Sequence, residues 1–255
     1  MNELNTDGVC AESPEDQVRK LYAKLALNPE QDFGWNKGKD NAKQLGYDQR
    51  MLDQIPDVVW ESSAAVGNPF SVGPINKGET VVDLGCGAGA DLCVAALLVG
   101  DTGKVVGIDL TPEMVEKARG NVTLMGLTHA KVELGDFLKL PLADSAVDVV
   151  ISNGAINLSP KQACVLREIF RVLKPCGRLY LADMIRTDSS AFLSCHFDNS
   201  ADSWANCVAG TLSKACLEKL ISDTGFQDVT LVKMTGYHTA PETEGAIFRA
   251  TKPAT

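Results

Sequence analysis

Val82-Asp83-Leu84-Gly85-Cys86-Gly87-Ala88-Gly89 is the stretch on which the fold turns. A short apolar run ends at an acid and enters three glycines set at alternate positions. Glycine lets the backbone turn sharply and lets a ligand approach closely. A helix follows, and its N-terminus favours a negatively charged group. Upstream, Thr80 to Leu84 reads as a strand; downstream, Ala90 to Val99 reads as a helix, and Gly100-Asp101-Thr102-Gly103 makes the return turn. Lys104 to Asp109 is a second strand. Thr111-Pro112-Glu113 then opens a helix with a hydroxyl N-cap, a proline at the first position and an acid in the first turn. That helix runs to about Met125 and stops at Gly126.

The rhythm continues. Lys131 to Leu134 and Ala146 to Ser152 are strands, Ser159-Pro160 caps a helix to Leu173, and Lys174-Pro175-Cys176-Gly177 turns into a fifth strand, Arg178 to Ala182. Repeated βαβ units with apolar strands predict an α/β fold: a doubly wound, seven-stranded, mostly parallel sheet with helices on both faces. After Asp183 the rhythm breaks into an irregular insert, 184–212. A helix from Ser213 to Asp223, closed by Gly225, and two last strands, Val229 to Lys233 and Ala246 to Thr251, complete the domain. Ahead of it, residues 1–16 read as a flexible, polar start. Residues 17–76 read as an N-terminal helical and loop cap: Val18, Leu21, Tyr22 and Leu25 share a helical face in Glu15 to Leu27. Gly34, Gly38 and Gly46, then Asn68-Pro69 and Gly73-Pro74, mark connections. The main domain spans 77–255.

Composition narrows the function. The chain has 255 residues, 45% of them hydrophobic, with a net charge of −9. That is enough for a buried core, and no basic cluster stands out to hold nucleic acid or an anionic membrane. Met1 to Asp16 lacks the basic start and apolar run of a signal peptide, and Leu92 to Val99 is too short to span a bilayer. A cytoplasmic protein with a small-molecule substrate is expected. The eight cysteines (10, 86, 93, 164, 176, 195, 207 and 216) include no Cys-x-x-Cys pair, so neither a zinc site nor a disulfide framework is expected. Most read as small buried hydrophobes.

The candidate site lies at one edge of the sheet. Asp109 ends the second strand, 20 residues after Gly89, where an acid can take ribose hydroxyls. Gly135-Asp136 ends the third strand at the same edge, and open parallel sheets bind ligands there. A dinucleotide dehydrogenase uses similar geometry. Here, however, the glycines follow Asp-x-Gly-x-Gly-x-Gly, and Asp83 suits a cationic ammonium better than a pyrophosphate. A ligand-free turn with Asp91 as a helix N-cap accounts for neither Asp109 nor Asp136.

Across residues 77–183 these motifs resemble the class I S-adenosylmethionine-dependent methyltransferases, whose fold is Rossmann-like. The resemblance implies S-adenosyl-L-methionine as cofactor. It places Asp83, Gly85 and Gly87 at the methionine end, Asp109 on the ribose, and Leu110, Asp136 and Phe137 against the adenine; Cys86, a variable position between two glycines, and Gly135 are counted with the cofactor-binding candidates. Asn153 falls at the methionine side, and Tyr22 and Trp35 are candidates to close over the cofactor, with ordinary packing of the N-terminal helix as the alternative.

A wider resemblance is to the arsenite methyltransferase family. It rests on Val18-Arg19-x-x-Tyr22, Leu45-Gly46-Tyr47, Gly67-Asn68-Pro69, Asp109 to Met114, Ile151-Ser152-Asn153, Asn157-Leu158-Ser159-Pro160, Phe170 to Pro175 and Cys207-Val208-Ala209-Gly210. In that family a thiolate-bound trivalent arsenic uses its lone pair on the sulfonium methyl, so no general base is required and positioning dominates. A thiol reductant is an implied partner. The chain departs from the pattern where Val66 and Gly154 stand in place of cysteines. Cys207 matches a family arsenic ligand, and Cys195, twelve residues earlier in the insert, is its candidate partner, with the N-terminal Cys10 as another. Two thiols suffice for a methylated arsenical. His196 and Trp204 of the insert are candidates for the substrate wall. Two other readings stand beside this one: a small-molecule O-, N- or C-methyltransferase of the same descent, and a non-catalytic cofactor-binding protein.

Overall fold

The computed structural model describes residues 13–187 and 209–255. Four helices come first: α1 (Pro14–Leu27), α2 (Gly38–Gln44), α3 (Gln49–Gln54) and α4 (Asp57–Trp60). The alternating part follows as β1 (Thr80–Leu84), α5 (Ala90–Val99), β2 (Lys104–Asp109), α6 (Pro112–Leu124), β3 (Ala130–Leu134), β4 (Val147–Asn153), α7 (Gln162–Val172) and β5 (Leu173–Arg186). The chain closes with β6 (Leu212–Ser213), α8 (Lys214–Asp223), β7 (Gln227–Met234) and β8 (Thr243–Thr251).

The sheet runs β3-β2-β1-β4-β5-β8-β7, with β6 paired to β5. The ladders among β1 to β5 are parallel, and β8 runs antiparallel between β5 and β7. The seven expected strands are therefore present, and the two-residue β6 adds a short eighth. The chain winds outward through β2 and β3, then restarts on the other side of β1 with β4. That reversal opens a crevice beyond the carboxyl ends of β1 and β4.

Strand alternation divides the core. Val81, Val149 and Ile151 face one side, with Leu92, Cys93 and the cap residues Ile55, Val59 and Trp60. Val82, Leu84, Val150 and Leu181 face the other, with Val165, Leu166, Ile169 and Val172 of α7. The spacing of these α7 residues is the apolar stripe of a helix lying on a sheet.

Several local expectations are corrected. The polar connection after residue 27 folds into three short helices, because packing of Leu52, Ile55 and Trp60 onto the sheet stabilises turns too short to show a period. Thr111 holds the N-cap position of α6, but its side chain makes no cap bond; its N–H instead donates to Asp109 Oδ1 (2.9 Å). The helix after β4 starts at Gln162, and Ser159 Oγ accepts from the Lys161 N–H (3.2 Å) in the turn before it. The turn expected at Lys174 to Gly177 survives inside the longer β5 as an irregularity: Cys176 has φ +62°, and the β4–β5 register shifts between Val147 and Val149. Helix α1 begins at Pro14, capped by Ser13, whose Oγ accepts from the Asp16 N–H (3.2 Å).

Candidate functional site

The carboxyl ends of β1, β2 and β4 open on a cavity of about 390 Å³. Its floor is the glycine turn. Gly85, Gly87 and Gly89 have φ of +75°, +50° and +86°, a region that disfavours side chains. At Gly85 space matters as well: a Cβ there would lie 2.2 Å from the Ala155 Cβ. The loop after β4 therefore packs directly on the turn.

Two acids hold the turn and face the cavity. Asp109 Oδ2 accepts the Gly87 N–H (2.9 Å), so the acid read as a ribose ligand also pins the glycine backbone. Burial raises the Asp109 pKa, while the amides of Thr111 and Gly87 oppose the rise. Asp83 is 1% exposed, and its Oδ2 meets no hydrogen-bond partner among the described residues. Burial first, then repulsion from Asp91 and Asp109, pushes the Asp83 pKa well above the carboxylate range.

Asp91 entered the sequence reading only as a helix N-cap in the alternative set aside, and its place in the site was missed. It faces the cavity instead of capping α5. Its Oδ1 accepts from the Tyr47 hydroxyl (2.7 Å) and its Oδ2 from Asn153 Nδ2 (2.9 Å). Burial lifts its pKa to about 6, against the pull of Asn153 and Tyr47. Asn153 in turn ties in the cap: its Oδ1 accepts from the N–H groups of Val66 (3.0 Å) and Gly67 (3.3 Å).

The other expected residues converge as well. Tyr22, Cys86, Leu110, Asp136 and Phe137 line the cavity with those above. Gly135 does not; its N–H donates to the Asp109 carbonyl (3.0 Å), and it serves the sheet edge. Cys86 presents a thiol whose pKa burial raises well above normal, with Asp109 and Asp83 adding to the rise, so it stays neutral. Trp35 lies outside the lining and packs with Phe33, ring centroids 5.2 Å apart. Also lining the cavity are Ser159, from the segment Asn157 to Pro160 quoted above, and Ser62 to Ala65 of the cap and Lys161 beyond β4, which no sequence signal had marked.

The five described cysteines are free thiols. Cys86 and Cys93 are buried, as expected; Cys164 and Cys216 are half-buried, and Cys176 is exposed, a correction to the buried reading. Cys10, Cys195, Cys207, His196 and Trp204 lie outside the described residues. The two positions where the resembled family carries cysteine prove to be neighbours: a Cβ on Gly154 would meet Val66 Cγ1 at 3.2 Å. Among the described residues no cluster of metal-ligating side chains occurs.

The donor set fits a cationic ligand. Three buried carboxylates converge, their hydrogen-bond donors are neutral, and one oxygen remains unpartnered. A cation placed there would offset their mutual repulsion.

The sheet order, the glycine turn and the acids at the strand ends define a Rossmann-like fold of the class I S-adenosylmethionine-dependent methyltransferase type. The family described as "Methyltransferase domain" matches residues 75–229, and the chain belongs to it. The arsenite methyltransferase of Halobacterium salinarum is 34% identical over 234 residues, covering 86% of this chain and 59% of that protein. The chain thus spans about three fifths of the length of such curated relatives. Among solved structures, an arsenic(III) S-adenosylmethionine methyltransferase from Chlamydomonas reinhardtii superposes with a TM-score of 0.57 at 25% identity, over 86% of this chain and 74% of that one. The [4+2]-cyclase SpnF superposes with a TM-score of 0.66 at 17% identity, over 98% and 100% of the two chains, a likeness of fold alone.

Proposed function

We propose that this chain transfers a methyl group from S-adenosyl-L-methionine to a small trivalent arsenical, arsenite or methylarsenite, held by thiolates. The observation that carries the cofactor half is the unpartnered Asp83 oxygen in a buried acidic cluster, which suits the cationic methionine end. Asp109 is then the ribose ligand, and Leu110, Asp136 and Phe137 border the adenine. When bound, the cofactor supplies an electrophilic methyl on a sulfonium.

The protein's contribution is positioning and exclusion of water. The glycine turn, locked by Asp109, fixes the floor. Tyr22 on α1 lines the cavity and is the residue assigned to close over the cofactor. A substrate that reacts through a lone pair surrenders no proton, so the site needs no base. Cys207 and Cys195 are the thiolates assigned to the arsenical, and a thiol reductant would keep them competent. The substrate half is supported by the names of the relatives above. It takes a methylated arsenical more readily than arsenite, since Val66 and Gly154 supply no thiol. Their apolar contact favours a second reading, a small-molecule O-, N- or C-methyltransferase. No described helix is long and apolar enough to cross a membrane.

The test is incubation with methyl-labelled S-adenosyl-L-methionine and arsenite, methylarsenite or neither. Label in an arsenical product supports the proposal. Cofactor binding without transfer to either arsenical removes the substrate half, and absence of cofactor binding removes both. A Cys207→Ser variant with undiminished arsenical methylation refutes the thiolate assignment.

A further inference from the structure

Tyr47 comes from the cap, at the turn between α2 and α3, yet it reaches the wall of the cavity. It is 6% exposed, wedged edge-on against Trp60 and Phe70 with ring centroids 5.5 and 6.0 Å away. Its hydroxyl donates to Asp91 Oδ1 (2.7 Å), with the Gly67 carbonyl farther off at 3.3 Å, and it accepts from Asn153 Nδ2 (3.1 Å). Asn153 also donates to Asp91 Oδ2 (2.9 Å) and to the Gly67 carbonyl (2.9 Å). The three side chains form a closed ring joining the cap, the first turn of α5 and the end of β4. Asp91 and Asn153 line the cavity; Tyr47 does not.

We propose that Tyr47 is a positioning residue for the cofactor pocket: by hydrogen bonding to Asp91 and Asn153 it holds the Asp91 carboxylate, ionised, at the wall that receives the cationic end of the ligand. This rests on the cofactor reading above. The chemistry is direct. A carboxylate buried beside other carboxylates takes up a proton unless donors hold it charged. Asp91 has two such donors, and the cap supplies one. The ionisable groups that bear on Asp91 are Asp83 and the Tyr47 hydroxyl; Asp109, Cys86, Glu15, Asp16, Arg19, Asp136 and Lys161 sit around the cavity, and the Cys93 thiol bears on Asp83. Burial, then Asp91, keeps the Tyr47 phenol far above its usual pKa, so Tyr47 remains a neutral donor across the working range.

The experiment is a calorimetric titration of S-adenosyl-L-methionine, alongside uncharged-sulfur S-adenosylhomocysteine, into wild type and Tyr47→Phe at pH 6, 7, 8 and 9. Losing one donor raises the Asp91 pKa by about one unit, so Tyr47→Phe binds S-adenosyl-L-methionine about fivefold more weakly at pH 6 and converges on wild type at pH 9. The homocysteine compound keeps the methionine-end ammonium and loses only the sulfonium charge, so its affinity falls by a similar factor. Asp91→Asn gives an affinity nearly independent of pH over that range, and adding Tyr47→Phe to it costs nothing further. The inference is overturned if the Tyr47→Phe affinity falls by the same factor at every pH, or if the loss persists in the Asp91→Asn background. Should Tyr47→Phe fold poorly, the pH dependence of wild type against Asp91→Asn decides the matter: parallel curves overturn it. Wild type that binds neither compound sinks the cofactor reading as well, whereas binding without a Tyr47 effect sinks this inference alone.

Discussion

At position 85 two constraints meet: a φ of +75°, and a Cβ that would lie 2.2 Å from the Ala155 Cβ. Gly85→Ala therefore carries both a left-handed strain and an overpacking penalty, together about 2–4 kcal/mol. Thermal unfolding of Gly85→Ala and of Gly85→Ala/Ala155→Gly measures the two parts. The double variant recovers the packing part and keeps the strain. Asp83 behaves in the opposite sense. Burial and the neighbouring Asp91 and Asp109 hold its pKa well above the unfolded value, which costs the ligand-free fold stability near neutral pH, so Asp83→Asn raises the melting temperature of the ligand-free protein while weakening S-adenosyl-L-methionine binding by about tenfold or more. A variant that gains stability with full affinity would contradict the assignment of Asp83 to the ligand. Residues of this kind were legible because their partners are local: the glycine turn and Asp109 sit within one βαβ unit. Asp91 was not legible. A polar residue in a first helical turn reads as a cap, and its actual partners, Tyr47 and Asn153, are 44 and 62 positions away.

Among the elements, α1 is held at one end. Lys117 Nζ donates to the Ala26 carbonyl (3.2 Å) and to Ser62 Oγ (2.8 Å), and Ser62 Oγ donates to the Leu25 carbonyl (3.0 Å). A cation there also complements the helix dipole. The opposite half of α1, through Val18, Arg19 and Tyr22, lines the cavity. Lys117→Met leaves the Ala26 carbonyl and the Ser62 hydroxyl short of a donor and loosens the helix by about 1–3 kcal/mol. Hydrogen exchange should speed up over 14–27 with little change in the sheet; uniform acceleration everywhere would show that Lys117 supports the whole fold. The long periodic elements were readable from sequence, α5 to its end residues. The short cap helices were not, since turns of four to seven residues owe their stability to what they pack against. Strand β5 extends past both predicted ends because partners on either side, β4 and β8, keep its backbone bonded through a glycine-bearing turn.

The molecule as a whole has an acid-sided stability profile. Burial lifts Asp183 to about 7 and Asp91 to about 6. Both values exceed the unfolded carboxylate pKa of about 3.9, so what these groups contribute is fully present below that pH and is lost as pH rises through 6 and 7. Glu168, held down by Arg171, works the other way, as do Glu79 and Asp148, where burial is outweighed by Arg178 and Lys174. Their contribution is lost as pH falls below about 4.5. The ligand-free protein is expected to melt highest near about pH 4.5 and progressively lower toward pH 8. Asp183→Asn flattens the upper limb; an unchanged limb would mean that Asp183 is not the source.

The cap that completes the cavity lies ahead of the sheet in the chain. Gly67 packs so closely that a Cβ there would meet Ala182 Cβ at 2.9 Å and Ile247 Cγ1 at 3.1 Å. On the ribosome, residues 13–76 emerge before the sheet, and the surfaces that bury Ile55, Val59 and Trp60 are made later. The nascent cap must wait, apolar side exposed, for strands still unsynthesised. A stalled chain ending before β4 should therefore be the form that recruits chaperones and aggregates.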